Sequence, residues 1–226
     1  MQDYAAASNV LITKLSLKRS PIAITLLPER PPMEKLTEPV RLCEMWARAM
    51  EGETVYATEK EETCGGGAYY MGLAEMAPVQ RNGTLLSKLY PLYATPMAAV
   101  RTNERSPRIP FGTALATVCC PLEKAEGDVD VVMIVCNSLA AMKLVDAAVF
   151  ETGGYVSGMT GPATCSVAVA HPYLSGQVNY CMADVGAREY MKLTADELIV
   201  SIPGDRLAGV VRNLERTTGS ILYDRL

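Results

Sequence analysis

Apolar residues recur at helical spacing over residues 4–17, and Ser20-Pro21 predicts the stop. Residues 22–27 then read as a buried strand. A proline-rich loop follows over 28–32, and Thr37 is the expected N-cap of a helix that opens at Glu38-Pro39, runs to about Met50 and is closed by Gly52. Further on, the pattern predicts a short helix over 85–90 and strands over 97–101 and 114–119. The run 129–135 is the best strand, apolar enough for a central position covered on both faces. A helix over 138–150 follows at once, with Ala141, Leu144, Val145 and Ala148 on one face. After a glycine-rich loop, Pro162 predicts a helix start with Cys165 in its first turn, continuing through Val167, Ala168 and Ala170 to His171-Pro172. The last strands fall at 177–182 and 197–202. Pro203 opens a final helix on which Leu207, Val210, Val211 and Leu214 share a face, ending over 217–220. Strand followed by helix is the order of an α/β chain, with mixed α+β as the alternative: one domain over 1–226, with a central mixed sheet covered by helices.

Composition narrows the function more than the fold. A chain of 226 residues that is 49% hydrophobic and 20% charged has ample material for one core. Lys and Arg number 21 against 25 Asp and Glu, with only the scattered Arg101, Arg105 and Arg108 as a basic group, so nucleic acid is not an expected partner. Asp3, Asn9 and Lys14 interrupt the apolar residues of the N-terminus, unlike a signal peptide. The stretch 129–135 falls far short of the roughly 20 residues a membrane helix needs. A cytoplasmic protein that stays off the membrane is expected. There the seven cysteines are reduced thiols, and their odd number cannot pair completely in any case.

Three of these cysteines share a setting. Cys43, Cys64 and Cys165 lie on glycine-rich loops or near expected helix starts, where free N–H groups and the helix dipole favour a thiolate. Cys64 is followed by Gly65, Gly66 and Gly67, which let amides turn toward a sulfur, and Gly158 and Gly161 precede Cys165. Thiolates converging from separate loops suit an iron–sulfur cluster, the 4Fe–4S form among them, with one iron open to a small molecule, or a zinc site completed by another residue. No CxxC pair marks a compact zinc or ferredoxin motif. A nucleophilic role for one of the three is the narrower alternative. Cys119, Cys120 and Cys136 sit at strand ends among aliphatic residues and read as core, while Cys181 is held in reserve as a fourth ligand.

Cys43 ahead of a helix, Cys64-Gly65-Gly66-Gly67 leading to Gly72-Leu73, and the later Gly186-Ala187-Arg188, Asp196-Glu197 and Ile202-Pro203-Gly204 resemble the pattern of the bacterial and archaeal domain of unknown function family 169. The likeness spans about residues 22–214. It implies that Cys43, Cys64 and Cys165 are the positions that matter and implies no particular reaction.

Other residues carry a chemical and a bland reading together. His171 is the only histidine and hence the only imidazole base, yet a place at a helix end favours its charged form for structural reasons alone. Arg188 after Gly186 suits a two-pronged grip on a carboxylate or phosphate, or an ion pair with Glu197. The triple glycine has no following Lys-Ser/Thr and an acidic run over 59–62 before it, which argues against a nucleotide loop. Met45, Trp46 and Met50, with Tyr69, Tyr70 and Met71, would wall an apolar pocket or simply fill the core. Two functional readings result: an iron–sulfur or thiolate–metal protein with three cysteine ligands, or a cofactor-free ligand-binding or assembly protein whose thiols are structural. Homo-oligomerisation through the apolar segment 221–226 fits the second.

Overall fold

The computed structural model describes residues 2–29, 39–218 and 223. The expected N-cap at Thr37, most of the proline-rich loop over 28–32, residues 219–220 and most of the segment 221–226 lie outside them. Helix α1 (Tyr4–Leu15) starts where the Asp3 carboxylate accepts the N–H of Ala6 at 2.9 Å, and ends as Ser16 turns left-handed at φ 50°. Strand β1 (Ile22–Leu27) follows. Helix α2 (Leu42–Met50) begins three residues after Pro39, with Glu44 accepting the Arg41 N–H at 2.8 Å. Then come β2 (Val55–Ala57), α3 (Gly65–Tyr70), α4 (Pro78–Arg81), a π-helical turn Leu85–Leu89 and α5 (Pro96–Arg105). The second half holds β3 (Ala116–Pro121), β4 (Val131–Asn137), α6 (Ser138–Val149), a π-helical turn Ser166–Ala170 running into α7 (His171–Ser175), β5 (Asn179–Cys181), α8 (Val185–Tyr190), β6 (Glu197–Pro203) and α9 (Leu207–Thr217).

The six strands form one sheet in the order β2-β3-β1-β4-β6-β5, and every pairing between them is antiparallel. The chain is therefore α+β, with β4 central as its apolar sequence implied. Period-two alternation divides the sheet's side chains cleanly. Val131, Met133 and Val135 of β4 join Ile22 and Ile24 on one face, while Val132, Ile134 and Cys136 point to the other with Ala23. The second face is covered by α1, α6 and α9, whose Leu11, Leu144, Leu207 and Leu214 are wholly buried. Each such side chain contributes about 1.5–3 kcal/mol of transfer free energy. The first face is covered by α2, α3, the helical run through α7, and α8.

Three sequence expectations change. The strand expected over 97–101 is the middle of α5: Thr95 accepts the Ala98 N–H at 3.2 Å and Pro96 occupies the first turn, caps that decide for helix where a short apolar run alone is ambiguous. Pro203 closes β6 instead of opening a helix, and α9 starts at Leu207 after a 3-10 turn Gly204–Arg206. Strand β2 had no local signal, since only three residues pair with β3. Among the described residues no helix is long and apolar enough to cross a membrane.

Candidate functional site

The site begins with a backbone pairing. Val40 and Glu62 form an isolated parallel bridge, with Val40 N–H donating to the Glu61 carbonyl and Thr63 N–H to the Val40 carbonyl, both at 2.9 Å. Two segments far apart in sequence thus run side by side, and each enters a helix within a few residues. Cys43 falls in the first turn of α2, and Cys64 is the N-cap of α3. The Glu62 carboxyl ties the two starts together by accepting the Leu42 N–H at 3.2 Å and the Cys64 N–H at 2.8 Å. A methyl on Gly67 would lie 3.0 Å from this carboxyl, so the third glycine is what lets Glu62 sit against α3. The triple glycine is consequently a helix start and not a loop.

The third thiol arrives from the other half of the chain. Asp184, the N-cap of α8, accepts the Thr164 N–H at 2.5 Å, and its own N–H donates to the Thr164 hydroxyl at 2.7 Å. This reciprocal pair fixes the helix start at which Cys165 lies. Helix α8 packs against α2, with the Arg41 guanidinium 4.9 Å from the centre of the Tyr190 ring. Cys165 is thereby brought within hydrogen-bonding reach of the Cys43 thiol, and it also feels the charge of Cys64. Cys43, Cys64 and Cys165 are therefore close enough to act on one another electrostatically. Cys165 is buried, the other two half-buried.

Electrostatics favour the protonated form of Cys64 and Cys165. The hydrogen bond with Cys43, followed by burial, pushes Cys165 well above the ordinary thiol value. Burial also raises Cys64, against the opposing pull of the Gly67 and Gly66 N–H groups, the former 3.5 Å from its sulfur. Helix-start amides do turn to the sulfur as expected, yet desolvation outweighs them and no thiolate is favoured. Glu62, largely buried, is pushed up to about 7 by desolvation, which exceeds the help of its two N–H donors and of Arg41. Sequence reading passed over this carboxyl as one member of an acidic run. Its position two residues before Cys64 was the available signal.

The aromatic and methionine neighbours fill the core beside these thiols. Met45, Trp46, Met50, Tyr69, Tyr70 and Met71 belong to the same buried cluster as Cys165, and Cys43 packs against it. The Trp46 indole N–H is buried without an acceptor among the described residues, an unusual state for an interior donor. Among the described residues no group of three or more His, Cys, Asp or Glu side chains is arranged to hold a metal ion.

The remaining candidates lie elsewhere or serve the backbone. Cys119, Cys120 and Cys136 are buried in the sheet. Cys181 ends β5, buried, with its thiol pushed up to about 11 by desolvation and, to a lesser degree, by the charge of Asp184. His171 stands at the head of α7, lining a separate cavity with Gln177 and Arg206, and partial burial lowers its pKa, against the charged form expected for a helix end. Arg188 donates to the carbonyls of Met182 at 2.7 Å, Thr194 at 2.6 Å and Glu197 at 3.2 Å, holding a turn and no ligand. The carboxylate of Glu197 pairs with Arg19 instead, at 3.1 Å.

Fold and site together define a class: an α+β chain whose antiparallel sheet carries, on one face, interacting thiols from three helix starts. A family model described as uncharacterised ArCR, domain of unknown function 169, matches residues 10–213, and the chain belongs to this family. It is 31% identical over 186 residues to an uncharacterized protein of Methanocaldococcus jannaschii, covering 80% of this chain and 79% of that one. No solved structure matches the chain.

Proposed function

We propose that this chain is a cytoplasmic iron–sulfur protein in which Cys43, Cys64 and Cys165 ligate a cluster, leaving one iron open to a small molecule. One observation carries the reading: three thiols from three separate segments lie near enough to interact, with Cys43 and Cys165 in hydrogen-bonding reach and Cys64 close enough to act on Cys165 through its charge. Soft sulfur donors select iron–sulfur or zinc over hard cations. A single ion needs its ligands gathered in one coordination sphere, and no such group occurs among the described residues. A cluster spans a wider ring of thiolates. Bound, it would supply Lewis-acid or electron-transfer chemistry at its open iron.

The chain's own residues supply the rest. Gly66 and Gly67 aim N–H groups at the Cys64 sulfur, which would favour the ligated thiolate. Glu62 holds a proton at its carboxyl near neutral pH, beside the site. Trp46, Met45 and Tyr70 exclude water.

The second reading, a cofactor-free binding or assembly protein with structural thiols, is favoured by the upward pKa shifts of Cys64 and Cys165. Iron and acid-labile sulfide analysis on anaerobically purified protein separates the two. Brown protein with stoichiometric iron and sulfide, both lost in Cys64→Ser and retained in Cys136→Ser, is expected. Colourless, folded, iron-free protein would establish the second reading instead.

A further inference from the structure

Helix α5 and the loop that delivers Cys165 enclose a cavity of about 350 Å³, within the range of small-ligand sites. Its charge is one-sided. Arg101 and Arg105 line it from α5, Thr102, Ser106 and Thr160 add hydroxyl groups, and no carboxylate is among the lining residues. Four residues apart on a helix, the two arginines lie on the same face. Neither makes an ion pair or hydrogen bond among the described residues. The acidic residue between them, Glu104, turns to a different cavity shared with Arg81 and Arg108, where Arg81 lies 3.6 Å from Glu75 and Arg108 stacks over Tyr69. Two unneutralised guanidinium groups in a concave wall are a recognition element for carboxylate or phosphate oxygens.

The opposite wall is held rigidly. Asn179, buried in β5, accepts the Met159 N–H at 2.7 Å and donates to the carbonyls of Met159 at 3.1 Å and Val167 at 2.7 Å. Thr160 accepts the Met182 N–H at 3.2 Å. The cavity is therefore formed before any ligand enters, which lowers the entropy a ligand must lose.

Part of its lining comes from the segment that carries Cys165. Ala163, just before the helical run that holds Cys165, and Val167, within it, are lining residues. The Ser166 hydroxyl donates to the carbonyl of the lining residue Pro107 at 2.6 Å. The buried Tyr70 hydroxyl interacts with the lining residue Ser106 and is close enough to Cys165 for their charges to interact.

We propose that this cavity binds a small organic anion, its carboxylate or phosphate group held between Arg101 and Arg105 and the remainder of the molecule directed toward Cys165. The inference names the substrate class for the iron–sulfur reading and rests on that reading only for events at the sulfur end; the anion site needs no metal.

Titration calorimetry at low ionic strength tests it on the full chain, prepared anaerobically, with succinate and with inorganic phosphate in separate arms, and again on the Cys64→Ser protein. Saturable binding of at least one anion is expected, weakened about tenfold or more in an Arg101→Gln/Arg105→Gln variant and unchanged in Arg81→Gln. Succinate alone would mark a carboxylic acid as the source, and phosphate alone a phosphorylated one. Binding of neither anion, or equal binding by the double variant, would overturn the inference. Anion binding by iron-free wild type would uphold this site while ending the iron–sulfur reading, and iron-loaded protein indifferent to both anions would do the reverse. Thermal melts of the arginine variants, both exposed positions, show that folding is intact.

Discussion

One face of the sheet meets α1, α6 and α9, three helices of 11 or 12 residues that present leucines, valines and alanines to β4 and β6. The other face meets α2, α3, α7 and α8, of 5 to 9 residues, joined by loops and a π-helical turn, and it carries a buried Glu62 and a buried Cys165 that interacts with two half-buried thiols. The strands feed both faces equally, so the contrast lies in the cover. Long amphipathic helices maximise buried apolar area per ordered residue. Short helices instead multiply helix starts, and each start is a place where N–H groups are free to hold a side chain or a ligand. The first face secures the fold, and the second spends some of that stability on holding polar groups where water is scarce.

The contrast yields predictions of decreasing size. Leu144→Ala, wholly buried against the sheet on the helical face, should cost about 2–5 kcal/mol in urea unfolding, while folded protein keeps its full iron content. A similar cost accompanied by loss of iron would mean the two faces are not separable.

Next comes a pH effect confined to the thiol face. In metal-free protein the Glu62 carboxyl holds its proton up to about pH 7, whereas the unfolded chain releases it near 4.5. Between those values the folded state binds more protons, so stability falls as pH rises, by on the order of 3 kcal/mol across the window, and levels off above it. Glu62→Gln keeps an acceptor for Leu42 and Cys64 and removes the charge. Its stability should match wild type below the window and exceed it above pH 7. Parallel stability curves for the two proteins would show that Glu62 bears no burial cost.

The smallest effect concerns Ala183, which sits between Cys181 and Asp184 in the left-handed region at φ 62°. Glycine adopts that conformation without strain, so Ala183→Gly should be neutral or stabilising, by up to about 1 kcal/mol in the same urea assay. A clear loss of stability would mean the Ala183 methyl packs usefully enough to outweigh its strain.

The same contrast explains what the sequence disclosed. Elements of the helical face were legible because their signals are local: β1 matches its expected span 22–27, and α6 follows β4 as the shift from a continuous apolar run to helical spacing indicates. On the thiol face, glycine and expected helix starts singled out Cys43, Cys64 and Cys165 from seven cysteines. What joins them is nonlocal. The Val40–Glu62 bridge and the Thr164–Asp184 exchange connect residues about 20 apart, and no periodicity announces either. Glu62 looked no different from the exposed Glu59 and Lys60 of the same charged run because burial, which gives it its character, is a property of the folded chain. Arg188 misled for the complementary reason: its partners are carbonyl groups, which every sequence position offers alike.

The most direct test of the central claim is native mass spectrometry of anaerobically prepared protein. The account predicts a species equal to the chain plus one iron–sulfur cluster, present in wild type and in Cys136→Ser and absent from Cys43→Ser, Cys64→Ser and Cys165→Ser. Folded wild-type protein at the bare mass of the chain would contradict it.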